Sequence, residues 1–228
     1  MRWEYPTLLC LLGGAAFLFL LSANTVTRLN NQKVYTLYDP WQAAFGGPLD
    51  RKNYPFWNQL TELLPWIWMG LFGCLALWHN VQHVLERAPN IITPILLAET
   101  WFLLANAILQ LVTILPDTHP EKQICQTTEA ISLSRLSLDF CGDMVSGHIA
   151  CIILMSFGMN WILDYHRLIS KRVYWSVMIP VILFEGHSLI LFDHHYTLNV
   201  VLALIGPPLF LTHPLFKSSL TYWTYLWE

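Results

Sequence analysis

Two short stretches of the chain carry side chains that could do chemistry. Ser146-Gly147-His148 closes a polar segment and opens the apolar run from Ile149 to Ile169. His195-Tyr196-Thr197-Leu198-Asn199 does the same for the run from Leu198 to Phe216. Titratable residues at a membrane boundary are costly to keep there and mark functional sites. Two imidazoles that face each other offer a nucleophile and an acid, which suits transfer of a phosphoryl group. One ring attacks phosphorus and the other protonates the departing oxygen. Ser146 and Gly147 would add a hydroxyl donor and a close backbone approach to phosphate oxygens. Asn199 comes one helical turn after His195, so its side chain can meet the imidazole. On spacing alone, helix-capping or packing histidines are the commoner explanation. The elements that would bring the two rings together therefore decide between these readings.

Those elements read as membrane helices. Of the 228 residues, 55% are hydrophobic and 12% charged. A soluble domain carries about 25% charged residues, so the balance points to a membrane protein, and mean hydropathy is +0.45. A net charge of -3 provides no basic face for nucleic acid. The 11 tryptophans and 9 tyrosines suit membrane interfaces, where amphipathic rings settle. Internal repeats and low-complexity tracts are absent.

Hydropathy predicts an all-α fold, a single polytopic domain over residues 1–228 with six transmembrane helices in one bundle. The spans fall at about 8–23, 63–78, 91–115, 148–169, 173–192 and 198–216. The first reads as an anchor, because a cut after Ala23 would leave Leu21 at a position where signal peptides carry a small residue. Asn24 to Glu62 reads as a long loop broken by Pro40, Gly46-Gly47-Pro48 and Pro55. His79 to Asn90 reads as a short connector and Asp164 to Arg172 as a basic hinge. With six spans, the connectors that end at His148 and at His195 lie on one face. The density of Arg167, Lys171 and Arg172, with Arg2, Arg87 and Lys217 on the same side, places the hinge in the cytosol and both histidines outside or in a lumen. Cys10, Cys74 and Cys151 fall within spans, as small apolar residues. Cys125 and Cys141 bracket the connector before His148, and an oxidising compartment would let them pair. Such a bond closes a loop of about 15 residues and contributes on the order of 3 kcal/mol.

With the residues in this order, Cys141-Gly142-Asp143 followed by Ser146-Gly147-His148, then His195-Tyr196-Thr197 ahead of the last helix, resembles the sphingomyelin synthase family. That family belongs to the wider lipid phosphate phosphatase (PAP2-like) superfamily. Val112-Thr113-Ile114-Leu115-Pro116, with Cys125 beyond it, is similar as well. The likeness covers roughly the second half of the chain. It implies a head-group transferase that moves phosphocholine or phosphoethanolamine from a glycerophospholipid to ceramide. In that scheme His195 is the nucleophile. His148 protonates the diacylglycerol oxygen and then deprotonates the ceramide hydroxyl. The resemblance further implies membrane phospholipid and ceramide as partners, and a Golgi, endoplasmic reticulum or plasma membrane location; no nucleic-acid partner, cofactor or metal is expected, and homodimer formation is left open.

The chain departs from the family's pattern in two places. Only Met144 and Val145 separate Asp143 from Ser146, where the family has three residues. Asn199 stands where the family has the aspartate that orients and charges the imidazole. The same exchange in a serine protease triad costs about 10⁴ in rate. Asp193 and Glu185 are candidate substitutes, each with a plainer reading: a solvated boundary charge for Asp193, and pairing with His187 or a neighbouring helix for Glu185. Asp143 either orients His148 or caps the fourth helix. Arg135 either clamps a phosphate or is a solvated loop charge, and Tyr196 belongs to the lipid-binding set by its place in the motif.

Three other readings compete. A metal oxidase would use His79 and His83, spaced as helix ligands, but they fall on the face opposite His148 and His195. A lipid phosphatase would use the same two histidines with water as acceptor, although the Lys-rich signature ending in Arg-Pro is missing. A lipid-binding relative that lost catalysis with the family aspartate is the third.

Overall fold

The computed structural model describes residues 10–19, 21, 38–86, 92–112, 146–192 and 194–214. Arg135, Asp143, Asp193, Cys125 and Cys141 lie outside the described residues, as do Arg2, Arg87 and Lys217. Within the described residues the chain is helical, without strands. The helices are α1 (Cys10–Phe19), α2 (Pro40–Ala44), α3 (Pro55–Glu86), α4 (Ile92–Val112), α5 (Gly147–Tyr165), α6 (Lys171–Leu191) and α7 (Thr197–Thr212). Three stretches, Pro55–His79 of α3 and the whole of α5 and α6, are long and apolar enough to cross a membrane. Cys10–Phe19, Pro94–Leu109 and Thr197–Thr212 are shorter apolar helices.

Helix α5 is the axis. It packs against α3, α4, α6 and α7, and Ile149, Ile152, Leu154 and Ile162 on it are fully buried. A helix that is apolar all round belongs inside a bundle. Gly158 lets α3 come close, since a side chain there would run into the ring of Phe72. Trp68 Nε1 donates to Ser156 Oγ across the same contact at 3.0 Å. The outward surfaces are apolar instead: Val173, Val177, Ile179 and Leu183 of α6 are exposed, as on a face meant for lipid.

Helix α3 departs from its expected limits at both ends. It starts at Pro55, within the segment that reads as loop, and runs on to Glu86 through the stretch that reads as a connector. Proline is tolerated in a first helical turn, where its missing N–H has no intrahelical partner to lose. Asn58 Nδ2 donates to Glu62 Oε1 at 3.0 Å, a turn apart, and supports the early start. At the far end His79 is fully buried, and its Nδ1 lies 3.0 Å from His166 Nε2. A polar ring with an internal partner need not end a helix.

The basic hinge is shorter than expected. α5 stops at Tyr165 and α6 begins at Lys171 behind the cap Ser170. Arg167 turns the chain at a φ of 55°, and Lys171 Nζ sits 3.2 Å from Asp164. His79 and the hinge therefore lie at one end of α5. The starts of α3, α5 and α7 gather at the other.

Candidate active site

Each histidine owes its place to a helix start. Ser146 is the N-cap of α5 and accepts the Ile149 N–H at 3.5 Å. That holds the first turn, with Gly147 exposed and His148 half-buried beside it. Ser146 is itself fully buried. Its N–H donates to the Asn199 carbonyl at 3.2 Å, which ties the mouth of α5 to the first turn of α7. His195 sits in the turn between α6 and α7, where the N–H groups of His194 and His195 both reach the Leu189 carbonyl, at 2.9 and 3.3 Å. The rings of His148 and His195 come to 6.0 Å between centroids at an interplanar angle of 66°. His195, Tyr196 and Asn199 are all buried. Gly147 has open space where a side chain would be, so backbone and His148 are approachable from that side.

The fold brings together Ser146, Gly147, His148, His195, Tyr196 and Asn199. Tyr196 is the N-cap residue of α7, and its side chain makes no capping hydrogen bond. Glu185 is fully buried on α6, and its carboxylate oxygens accept no hydrogen bond among the described residues. The expected pairing of Glu185 with His187 is absent too. His187 turns to α2 instead, where it accepts from Trp41 Nε1 at 3.0 Å and meets the Phe45 ring.

Sequence reasoning passed over two carboxylates near the site. Glu62 of α3 lies close enough to His148 for its charge to act there, and its Oε1 is 3.9 Å from His194 Nε2. Asn58, which holds Glu62, also accepts from His194 Nε2 at 3.0 Å, so that ring carries its proton on Nε2. The signal for Glu62 was its position, a lone acid at the junction of a polar segment and an apolar run. It was hidden because the helix was taken to start after it.

Asp39 is the second. It is buried and lies just before α2, and its carboxylate accepts from both the N–H and the hydroxyl of Thr197, at 2.6 and 2.7 Å. Burial pushes this carboxyl up, but hydrogen bonds from Thr197, Gln42 and Trp41 outweigh it and hold the group below its usual value of 3.8. A depressed native pKa means that the stabilisation is fully present above the unfolded value and is lost as pH falls through the native one. The difference in unfolding midpoint between the native chain and Asp39→Asn should hold steady from neutral pH down to about 3.8 and shrink only below it. A gap that closes between pH 7 and 5 would show that Asp39 is not held this way.

The arrangement offers a buried imidazole, a half-buried one 6.0 Å away, an approachable glycine and a nearby carboxylate. Those are the kinds of group that transfer of a phosphoryl group between two oxygens would use. Comparison with protein-family models, with curated proteins and with solved structures returns no match for this chain.

Proposed function

We propose that the chain is a six-span membrane enzyme that transfers a phospho-alcohol head group between lipids, in the manner of the sphingomyelin synthases it resembles. The observation that carries the reading is the pairing of His148 and His195 at 6.0 Å, at the end of the bundle where three helices begin. In the first step an imidazole nitrogen of His195 bonds to phosphorus, and the bond from phosphorus to the diacylglycerol oxygen breaks. The His148 imidazolium gives its proton to that oxygen. In the second, the primary hydroxyl of ceramide attacks phosphorus, the N–P bond breaks, and His148 takes the hydroxyl proton. His195 leaves each cycle as it entered.

In this reading the apolar helices α1 and α3 to α7 are the six spans, with the hinge around Arg167 in the cytosol and the histidines in the lumen or outside. Arg135 and Asp143 are the remaining candidates for phosphate binding and for orientation of His148. Glu62 takes over part of the work of the family aspartate, by placing a negative charge near His148 rather than behind His195.

The test is head-group transfer by the purified chain in lipid, with labelled phosphatidylcholine or phosphatidylethanolamine as donor and ceramide as acceptor. Labelled sphingolipid is the expected product. Release of free phosphocholine or phosphoethanolamine without it would make the chain a hydrolase, and neither product would make it a non-catalytic lipid binder. Asn199→Asp should raise turnover by about tenfold or more, since a carboxylate stabilises the imidazolium where an amide cannot. Equal rates for the two chains would show that Asn199 does not bear on His195.

A further inference from the structure

The segment from Tyr38 to Tyr54 reaches the histidine turn from both sides. On one side is the start of α7. A helix begins with N–H groups that lack intrahelical partners, and Tyr196 makes no side-chain cap there. Asp39 supplies one from 158 positions earlier: its Oδ2 takes the Thr197 N–H at 2.6 Å and its Oδ1 the Thr197 hydroxyl at 2.7 Å. The same Oδ1 caps α2 by accepting from Trp41 and Gln42 N–H at 2.9 and 3.1 Å. On the other side is the end of α6, whose last carbonyls are likewise short of partners. Gln42 Nε2 donates to the Ile190 carbonyl at 2.7 Å and Arg51 Nε to the Phe192 carbonyl at 2.8 Å. The Leu49 N–H completes the row by donating to the Leu191 carbonyl at 2.7 Å. Between the two flanks lie His194 and His195.

We infer that residues 39–51 form a clamp on the turn between α6 and α7, and that Asp39 is the positioning residue through which it sets His195. Asp39 acts through Thr197, two residues after the nucleophile, and touches no reacting atom. A negative charge at the start of α7 also suits the helix dipole. A nucleophile must be held to within a fraction of an ångström of its line of attack, and a misplacement of 1 Å can cost about 10²-fold in rate. The clamp adds to the hydrogen bonds from His194 and His195 to the Leu189 carbonyl in holding this short turn to that demand. The rate consequence rests on the head-group transfer reading; the clamp itself does not.

The experiment compares the full chain with Asp39→Ala, Asp39→Asn and Thr197→Val in lipid nanodiscs. Hydrogen exchange of the peptide that spans residues 194–199 is read beside kcat and KM for head-group transfer. Asp39→Ala should speed exchange in that peptide about tenfold or more as the clamp opens. It should also lower kcat by about 10²-fold with KM within about twofold. Asp39→Asn, which keeps one acceptor oxygen, should recover part of both losses. Thr197→Val removes only the hydroxyl donor and should move both readouts the same way by a smaller factor; it decides the matter if Asp39→Ala does not fold. Unchanged exchange in the Asp39 and Thr197 variants would overturn the clamp. A rise in KM at constant kcat would overturn the positioning role. If the native chain transfers no head group, the proposed function fails, and the exchange comparison still decides the clamp.

Discussion

A chain with alanine at position 195 should transfer no head group and form no phosphohistidine. His195 is buried at the mouth of α7, with its ring facing His148. In the proposed mechanism its ring is what holds the phosphoryl group between donor and acceptor. Loss of a nucleophile is not graded, because the direct reaction between two lipids has no comparable route, and the fall should be on the order of 10⁴ or more. His148→Ala should cost less, about 10²- to 10⁴-fold, the usual worth of a general acid and base. Acid-labile label on the native protein after brief exposure to labelled donor, absent from His195→Ala, is the direct readout. Turnover that survives His195→Ala would end the mechanism.

Gly158→Leu should destabilise the bundle more than any comparable change on its outer surface. A side chain at Gly158 would collide with the Phe72 ring of α3 and come within 3.1 Å of Ile95 Cγ1 on α4. Three helices meet there, and small residues are what let membrane helices approach closely. Overpacking of this kind costs about 1–3 kcal/mol. Gly70→Leu and Gly73→Leu on α3 are the controls, since nothing stands within 4 Å of a Cβ at either position; surface changes of that sort stay within about 0.5 kcal/mol. Thermal unfolding in detergent compares them. A Gly158→Leu chain as stable as the Gly70 and Gly73 variants would mean that α3 and α5 do not pack this way. Transfer should fall with stability, because α3 brings Asn58 and Glu62 to the site.

Hydropathy made the helices legible where their interior is uniformly apolar. α5 and α6 lie close to their expected limits, since Ser146 and Ser170 are capping residues that also mark them in the sequence. α3 was obscured because its two ends are polar. Asn58, Glu62 and His79 find partners inside the molecule, and a hydropathy reading counts only their cost in lipid. The site was legible in the same uneven way. His148 and His195 could be placed together by parity of spans, an argument that needs no coordinates. Asp39 could not, because its role depends on a contact with Thr197 that no local pattern records. Glu185 drew attention as an acid within a span, and its carboxylate stands buried without a hydrogen bond among the described residues.

The distribution of these contacts along the chain has a consequence for biogenesis. α5 is enclosed by helices made before it, α3 and α4, and by helices made after it, α6 and α7. The turn between α6 and α7, with His194 and His195, closes onto Asp39, Asn58, Glu62 and Arg51, all made in the first third of the chain. Proteins are built from the N-terminus, so the receiving surface is made well before the turn that it holds. A nascent chain halted before α7 would leave the side of α5 that packs against α7 uncovered. Docking of the α6–α7 hairpin is then the late event that brings His195 to His148 and encloses α5.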